Sequence, residues 1–254
     1  MKNTFYLTTQ GSDGIFTFDL TTQAAPQQIP STKGFGFRGS IQVGNNLYLT
    51  TQGSDGIFTF DLTTQAAPQQ IPSTKGFGFQ EAVQVGNNLY LTTQGSDGIF
   101  TFDLMCHAKP SQIPSTKGFG FQGGIQVGNI LYLTTQESDG IFTFDLMCHA
   151  TPQQIPSTKG FGFRGGIQVG NILYLTTQGS DGIFTFDLTT QAAPQQIPST
   201  KGFGFQEAVQ VGNNLYLTTQ GSDGIFTFDL MCHAKPSQIP LTTGWGFQGV
   251  VVRG

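Results

Sequence analysis

The amino-acid sequence predicts an all-β fold, a six-bladed β-propeller, and three observations carry that expectation. Tyr6, Tyr48, Tyr90, Tyr132, Tyr174 and Tyr216 recur every 42 residues, as do Asp19, Asp61, Asp103, Asp145, Asp187 and Asp229, so six units nearly exhaust the 254 residues. Self-similarity at such a period marks a repeat architecture. Each unit holds four short β-forming stretches separated by Gly, Asn, Asp and Pro, and no 3.6-residue apolar period runs long enough for a helix. Four antiparallel strands per unit, repeated six times, describe a propeller of four-stranded blades. Residues 1–254 then form a single domain with no linker.

In the unit that begins at Gly34, strand A is expected at Ile41–Val43, B at Leu47–Gln52, C at Ile57–Leu62 and D at Gln69–Ser73. Along C, Phe58, Phe60 and Leu62 alternate with Ile57, Thr59 and Asp61. Neither face is strongly polar, as expected when both lie against neighbouring blades. Gly53-Ser54-Asp55-Gly56 supplies the positive-φ positions of a hairpin between B and C. Asp61, at the end of C, is placed to accept backbone N–H bonds in the turn that follows. A β-solenoid or an open array of hairpins is the alternative, but solenoid coils are usually shorter and an open array needs capping ends. Here the first unit starts in B (Phe5 to Gln10) and the last stops in A (Gly249 to Arg253). The final strand can therefore complete the first blade and remove the open edges. Its Val250-Val251-Val252 run is richer in β-branched residues than the other A strands, as a join without a covalent link would favour.

The unit VGNNLYLTTQGSDGIFTFDLTTQAAPQQI resembles the bacterial LVIVD propeller repeat and, more loosely, the YVTN repeat. The matching residues are Gly44, Asn45, Tyr48, Asp55, Gly56, Asp61 and Pro68, and the likeness covers all six units. The resemblance implies a propeller of the type found in bacterial surface or binding proteins, often without an assigned activity. Phe in strand C and the Gly-Phe-Gly-Phe segment depart from the pattern.

A second period lies above the first. Residues 47–114 are identical to residues 173–240, and Met-Cys-His replaces Thr-Thr-Gln in units 3, 4 and 6. The chain reads as a three-blade segment of 126 residues copied once.

Composition narrows the function classes. Charged residues make up 10% and the net charge is −4, which gives no reason to expect nucleic acid as a partner. With 37% apolar content and 24 Phe the chain can bury a core, yet no apolar run approaches a membrane span. MKNTFYLTTQ passes directly into repeat sequence without an apolar signal region, so the expected location is cytoplasmic by default, or the cell surface if a leader was removed. Cys106, Cys148 and Cys232 occupy equivalent positions a repeat or more apart, which predicts free thiols.

Each candidate site has a plainer structural reading beside it. The six Asp of the Ser-Asp-Gly turns (Asp13 and its equivalents) form a ring of carboxylates that hairpin chemistry already explains. Met105-Cys106-His107 and its copies offer soft ligands, but one short turn cannot close a tetrahedral metal site. The loops from D to the next A carry Lys33, Lys75, Lys117, Lys159 and Lys201 beside Phe35, Phe37, Phe77, Phe119, Phe161 and Phe203, with Trp245 in the sixth. An aromatic beside a polar donor suits a sugar ring; packing between blades is the alternative. At the entrance to strand A, expected at the mouth of the central channel, the residues vary: Arg38, Gln80, Glu81, Gln122, Arg164, Gln206, Glu207 and Gln248. No catalytic constellation, metal site or cofactor is expected, since His occurs only in the three Met-Cys-His turns and no Gly-rich segment precedes a helix. The expectation is a non-enzymatic binding scaffold with near-identical loops, a monomer with glycan or peptide as ligand. A young structural repeat protein without a specialised ligand is the alternative, and ring sharing between chains the alternative to the monomer.

Overall fold

The computed structural model describes residues 4–9, 11–51, 53–93, 95–135, 137–177, 179–219 and 221–253. They form a six-bladed β-propeller of four-stranded antiparallel sheets, each with strands in the order A-B-C-D. Blade 2 shows the plan: A is Ser40–Val43, B Asn46–Thr50, C Ile57–Asp61 and D Gln69–Gln70. Strands B and C pair over five residues, from Asn46 opposite Asp61 to Thr50 opposite Ile57. Gln10 and Gln52, expected to end strand B, lie outside the described residues.

Strand D is shorter than its expected span. After Gln70 the chain leaves the sheet and turns through Pro72–Thr74 as a 3₁₀ turn. Pro72 has no N–H for a ladder and a fixed φ, so pairing stops before it. Thr74 then ties the turn to strand C, its Oγ1 accepting from Ile57 N at 2.8 Å and donating to Ile71 O at 2.8 Å.

The Ser-Asp-Gly turn is pinned to the same loop. Gly56 has φ +76°, and a Cβ there would lie 2.3 Å from Thr74 O. Its N–H donates to Phe77 O at 2.9 Å, and Ser54 O accepts from Gly76 N at 2.6 Å. The six copies are thus a structural joint between the B–C and D–A loops, which only glycine can make at that position.

Blade 1 is completed from the other end of the chain. Gly249–Arg253 pairs antiparallel with Thr4–Thr8 over five residues, Phe5 opposite Val252 and Leu7 opposite Val250. Three strands of this sheet come from the N-terminal part and one from the C-terminal part.

The chain divides into two compact units of three blades each: blades 6, 1 and 2 (residues 206–254 with 1–79), and blades 3, 4 and 5 (residues 80–205). In both, the cores lie between blades. In the first unit Phe16 and Phe18 of blade 1 pack with Ile225 and Ile239 of blade 6, while Ile15 and Ile29 on the opposite face meet Phe60 and Leu62 of blade 2. In the second, Ile99 and Ile113 of blade 3 meet Leu133 and Phe144 of blade 4, and Ile141 and Ile155 of blade 4 meet Leu175 and Phe186 of blade 5. Strand C buries Ile57 on one face and Phe60 on the other, while Phe58, Thr59 and Asp61 are half-buried. Each fully buried Phe contributes roughly 1.5–3 kcal/mol relative to exposure.

Candidate functional site

The D–A loops leave the 3₁₀ turn with their lysines outward and their aromatics inward. Lys33, Lys75, Lys117, Lys159 and Lys201 are exposed, whereas Phe37, Phe79, Phe121, Phe163, Phe205 and Phe247 are buried. The first aromatic of each loop is half-buried and lies parallel to the second: Phe35 on Phe37 at 5.9 Å, Phe77 on Phe79 at 5.8 Å, Phe119 on Phe121 at 5.8 Å. Phe161 and Phe203 repeat the arrangement, and Trp245 takes the outer place above Phe247 at 6.5 Å. Strand C adds an edge-on ring, Phe58 against Phe35 at 5.6 Å and Phe142 against Phe119 at 5.5 Å. One face of each outer ring is therefore already spent on packing.

The variable residues at the start of strand A divide into two groups. Glu81 and Glu207 reach out of their own blades. Glu81 Oε2 accepts from Gly124 N at 3.2 Å, and Glu207 Oε2 accepts from Val250 N at 2.7 Å, each on strand A of the next blade. A Cβ on Gly123 would meet Glu81 Oε2 at 2.2 Å and Arg164 O at 2.9 Å, so the glycine makes room for the carboxylate. Burial pushes the Glu81 carboxyl up to about 7, against the lowering pull of the Gly124 N–H and the Arg164 guanidinium. Arg38 and Arg164 are half-buried, and desolvation lowers the Arg38 guanidinium from its ordinary value.

Gln80, Gln122, Gln206 and Gln248 form the second group, all buried. Gln122 lines an open cavity of about 380 Å³ between blades 3 and 4, together with Gly118 and Gly120 of its own loop, Ser96 of one B–C loop, and Glu137 and Asp139 of the next. Its backbone is satisfied, N–H by Thr134 O and C=O by Thr92 Oγ1. Its side-chain amide makes no hydrogen bond among the described residues.

The remaining candidates are structural. Asp61 Oδ1 accepts from Thr63 N at 2.6 Å and Thr64 N at 3.1 Å, and these bonds hold the carboxyl below its ordinary range. Asp103, Asp145 and Asp229 do the same under Met-Cys-His. The third turn residue, Gln65 or His107, has φ near +50° and donates its N–H back to the Asp carbonyl. The three cysteines are free and exposed. His149 Nε2 lies 3.1 Å from Tyr90 Oη at the side of a second cavity of about 390 Å³.

In fold, the chain is similar to solved structures at low sequence identity. A nidogen/laminin complex structure matches with TM-score 0.76 and 16% identity over 99% of this chain and 98% of that one. The extracellular domain of a putative one-component system from B. thetaiotaomicron matches with TM-score 0.63 and 15% identity over 93% of this chain, which spans about a third (33%) of that one. No family model matches the sequence, and no curated protein matches it. No helix among the described residues is long and apolar enough to cross a membrane.

The cavity joins one residue that sequence reasoning singled out, Gln122, with one it passed over. Glu137 stands where the other five Ser-Asp-Gly loops have Gly11, Gly53, Gly95, Gly179 and Gly221. That single departure was the available signal, hidden because the loop as a whole reads as a turn.

Proposed function

We propose that the chain is a non-enzymatic binding scaffold that takes a peptide segment of a protein partner on its B–C and D–A loops. The observation that carries the reading is the cavity of blades 3 and 4. Its walls come from glycine-rich loops held by the Ser-Asp-Gly joint, and the Gln122 side-chain amide in its lining makes no hydrogen bond among the described residues. A rigid scaffold carrying short loops is a common basis for recognition. The cavity lining holds no aromatic side chain on which a sugar ring could stack, which favours peptide over glycan. The fold shared with the nidogen/laminin complex structure and with an extracellular domain supports the same class of role. The short Gly-Asn and Asp-Gly motifs keep an LVIVD-type placement as the family reading. Parallel peptide and glycan arrays test the proposal. Peptide binding that is lost in Gly120→Trp, which fills the cavity, supports it; glycan binding alone, or silence on both arrays, overturns it.

A further inference from the structure

Resting on that reading, we infer that the cavity of blades 3 and 4 selects a cationic side chain, lysine or arginine, of the bound peptide. The 42-residue repeat places two variable positions at each such loop junction, one in the D–A loop and one before Ser-Asp-Gly. Arg38 pairs in this sense with Gly53, Gln122 with Glu137, and Arg164 with Gly179. Blades 3 and 4 alone bring two carboxylates, Glu137 and Asp139, to a junction whose D–A residue is neutral. Lys117 adjoins Gly118 but lies outside the cavity lining.

The buried amide supplies a second, independent observation. Gln122 is 9% exposed, faces the cavity, and has its backbone groups already bonded, so its side-chain carbonyl can accept from a donor entering the cavity. Two carboxylates and an amide oxygen form an acceptor-rich set, the complement of an ammonium or guanidinium group. The fold does not require Glu137. At Gly95 an added Cβ would meet nothing within 4 Å, and at Gly11 it would meet only Asp13 Oδ2 at 3.8 Å. A side chain at this position is therefore free to serve a ligand.

The test is an array of hexapeptides matched in sets that carry Lys, Arg, norleucine or Glu at one position, probed with the full chain at low and high salt. Lys and Arg peptides are expected to bind about tenfold more tightly than their norleucine partners at low salt, with the margin shrinking as salt rises. Glu137→Gly, which installs the residue of the other five loops, is expected to abolish that margin. Gly11→Glu, which builds an equivalent pair with Asp13, is expected to raise the stoichiometry from one peptide to two. Peptide binding without a cationic preference, or a preference that survives Glu137→Gly, overturns this inference and leaves the scaffold reading standing. No peptide binding at all overturns both.

Discussion

The two three-blade units are built to one plan and differ at its centre. In blades 3, 4 and 5 the central A strand, Gly123–Val127, arrives along the chain from blade 3. In blades 6, 1 and 2 its counterpart, Gly249–Arg253, pairs with strands from the opposite end of the sequence. Both receive a glutamate from the preceding blade, but the bond is 3.2 Å in the first case and 2.7 Å in the second. Val250-Val251-Val252-Arg253 replaces Gly124-Ile125-Gln126-Val127. Val250 and Val252 pack with Phe5 and Phe247, Val251 packs with Phe37 and Leu49, and Arg253 Nη1 donates to Leu62 O at 3.3 Å. A strand that lacks chain continuity with its sheet is held by more apolar surface and more side-chain anchors. It also leaves a flaw: Thr8 Oγ1 and Ser40 Oγ are buried at this junction without a hydrogen-bond partner among the described residues, whereas the equivalent Thr134 Oγ1 donates to Arg164 O at 3.0 Å.

Removing residues 249–253 should break the comparison outright. It unpairs Thr4–Thr8 and opens the core around Phe5 and Leu7, a loss of more than about 5 kcal/mol from buried apolar area and ladder bonds. Circular dichroism should show the cooperative thermal transition lost or strongly lowered, and a synthetic Gly-Val-Val-Val-Arg-Gly peptide should restore part of it.

Gly123→Ala comes next, at roughly 2–4 kcal/mol, because the new methyl evicts a buried carboxylate. Gly249→Ala should cost less, about 1–2 kcal/mol, since its nearest neighbours are two side-chain hydroxyls at 2.7 and 3.0 Å that can rotate away. Denaturant titrations of the two variants measure the gap directly.

Glu81→Gln separates the effect of charge from that of shape. The Glu81 carboxyl is raised to about 7 from 4.5, so the folded protein keeps a proton that the unfolded chain releases in that interval. Stability from this group is therefore full below pH 4.5, falls as pH rises towards 7, and is level above it. The Gln variant still accepts from Gly124 N but does not lose stability across the window, ending about 1–3 kcal/mol ahead of the parent at higher pH. The smallest effect is expected from Ser40→Ala, which removes an unpartnered buried hydroxyl and should stabilise by about 0.5–1 kcal/mol.

The blade plan was legible because it rests on local periodicity. Alternation along Ile57–Asp61, the turn residues around Gly56 and the recurrence of Tyr48 each act within a few residues of chain. The closing strand was legible for the same reason, since Val250 to Val252 stand out against the other units. Strand D is shorter than its expected span because Gln69 to Ser73 holds one β-former, Ile71, and Pro72 after it ends the ladder. The roles of the variable residues were not legible. That Glu81 crosses to the next blade depends on the space beside Gly123, and that Gln122 and Glu137 line one cavity depends on how two loops 15 residues apart in sequence fold.

Hydrogen exchange of the full chain, read at the peptides covering residues 4–8 and 249–253, tests the closure most directly. Protection of both segments equal to that of Gly123–Val127 and Ile130–Thr134, in a protein whose native mass is that of one chain, is the expected result. Rapid exchange at both segments, or protection only in a dimer, would contradict a blade 1 completed within a single chain.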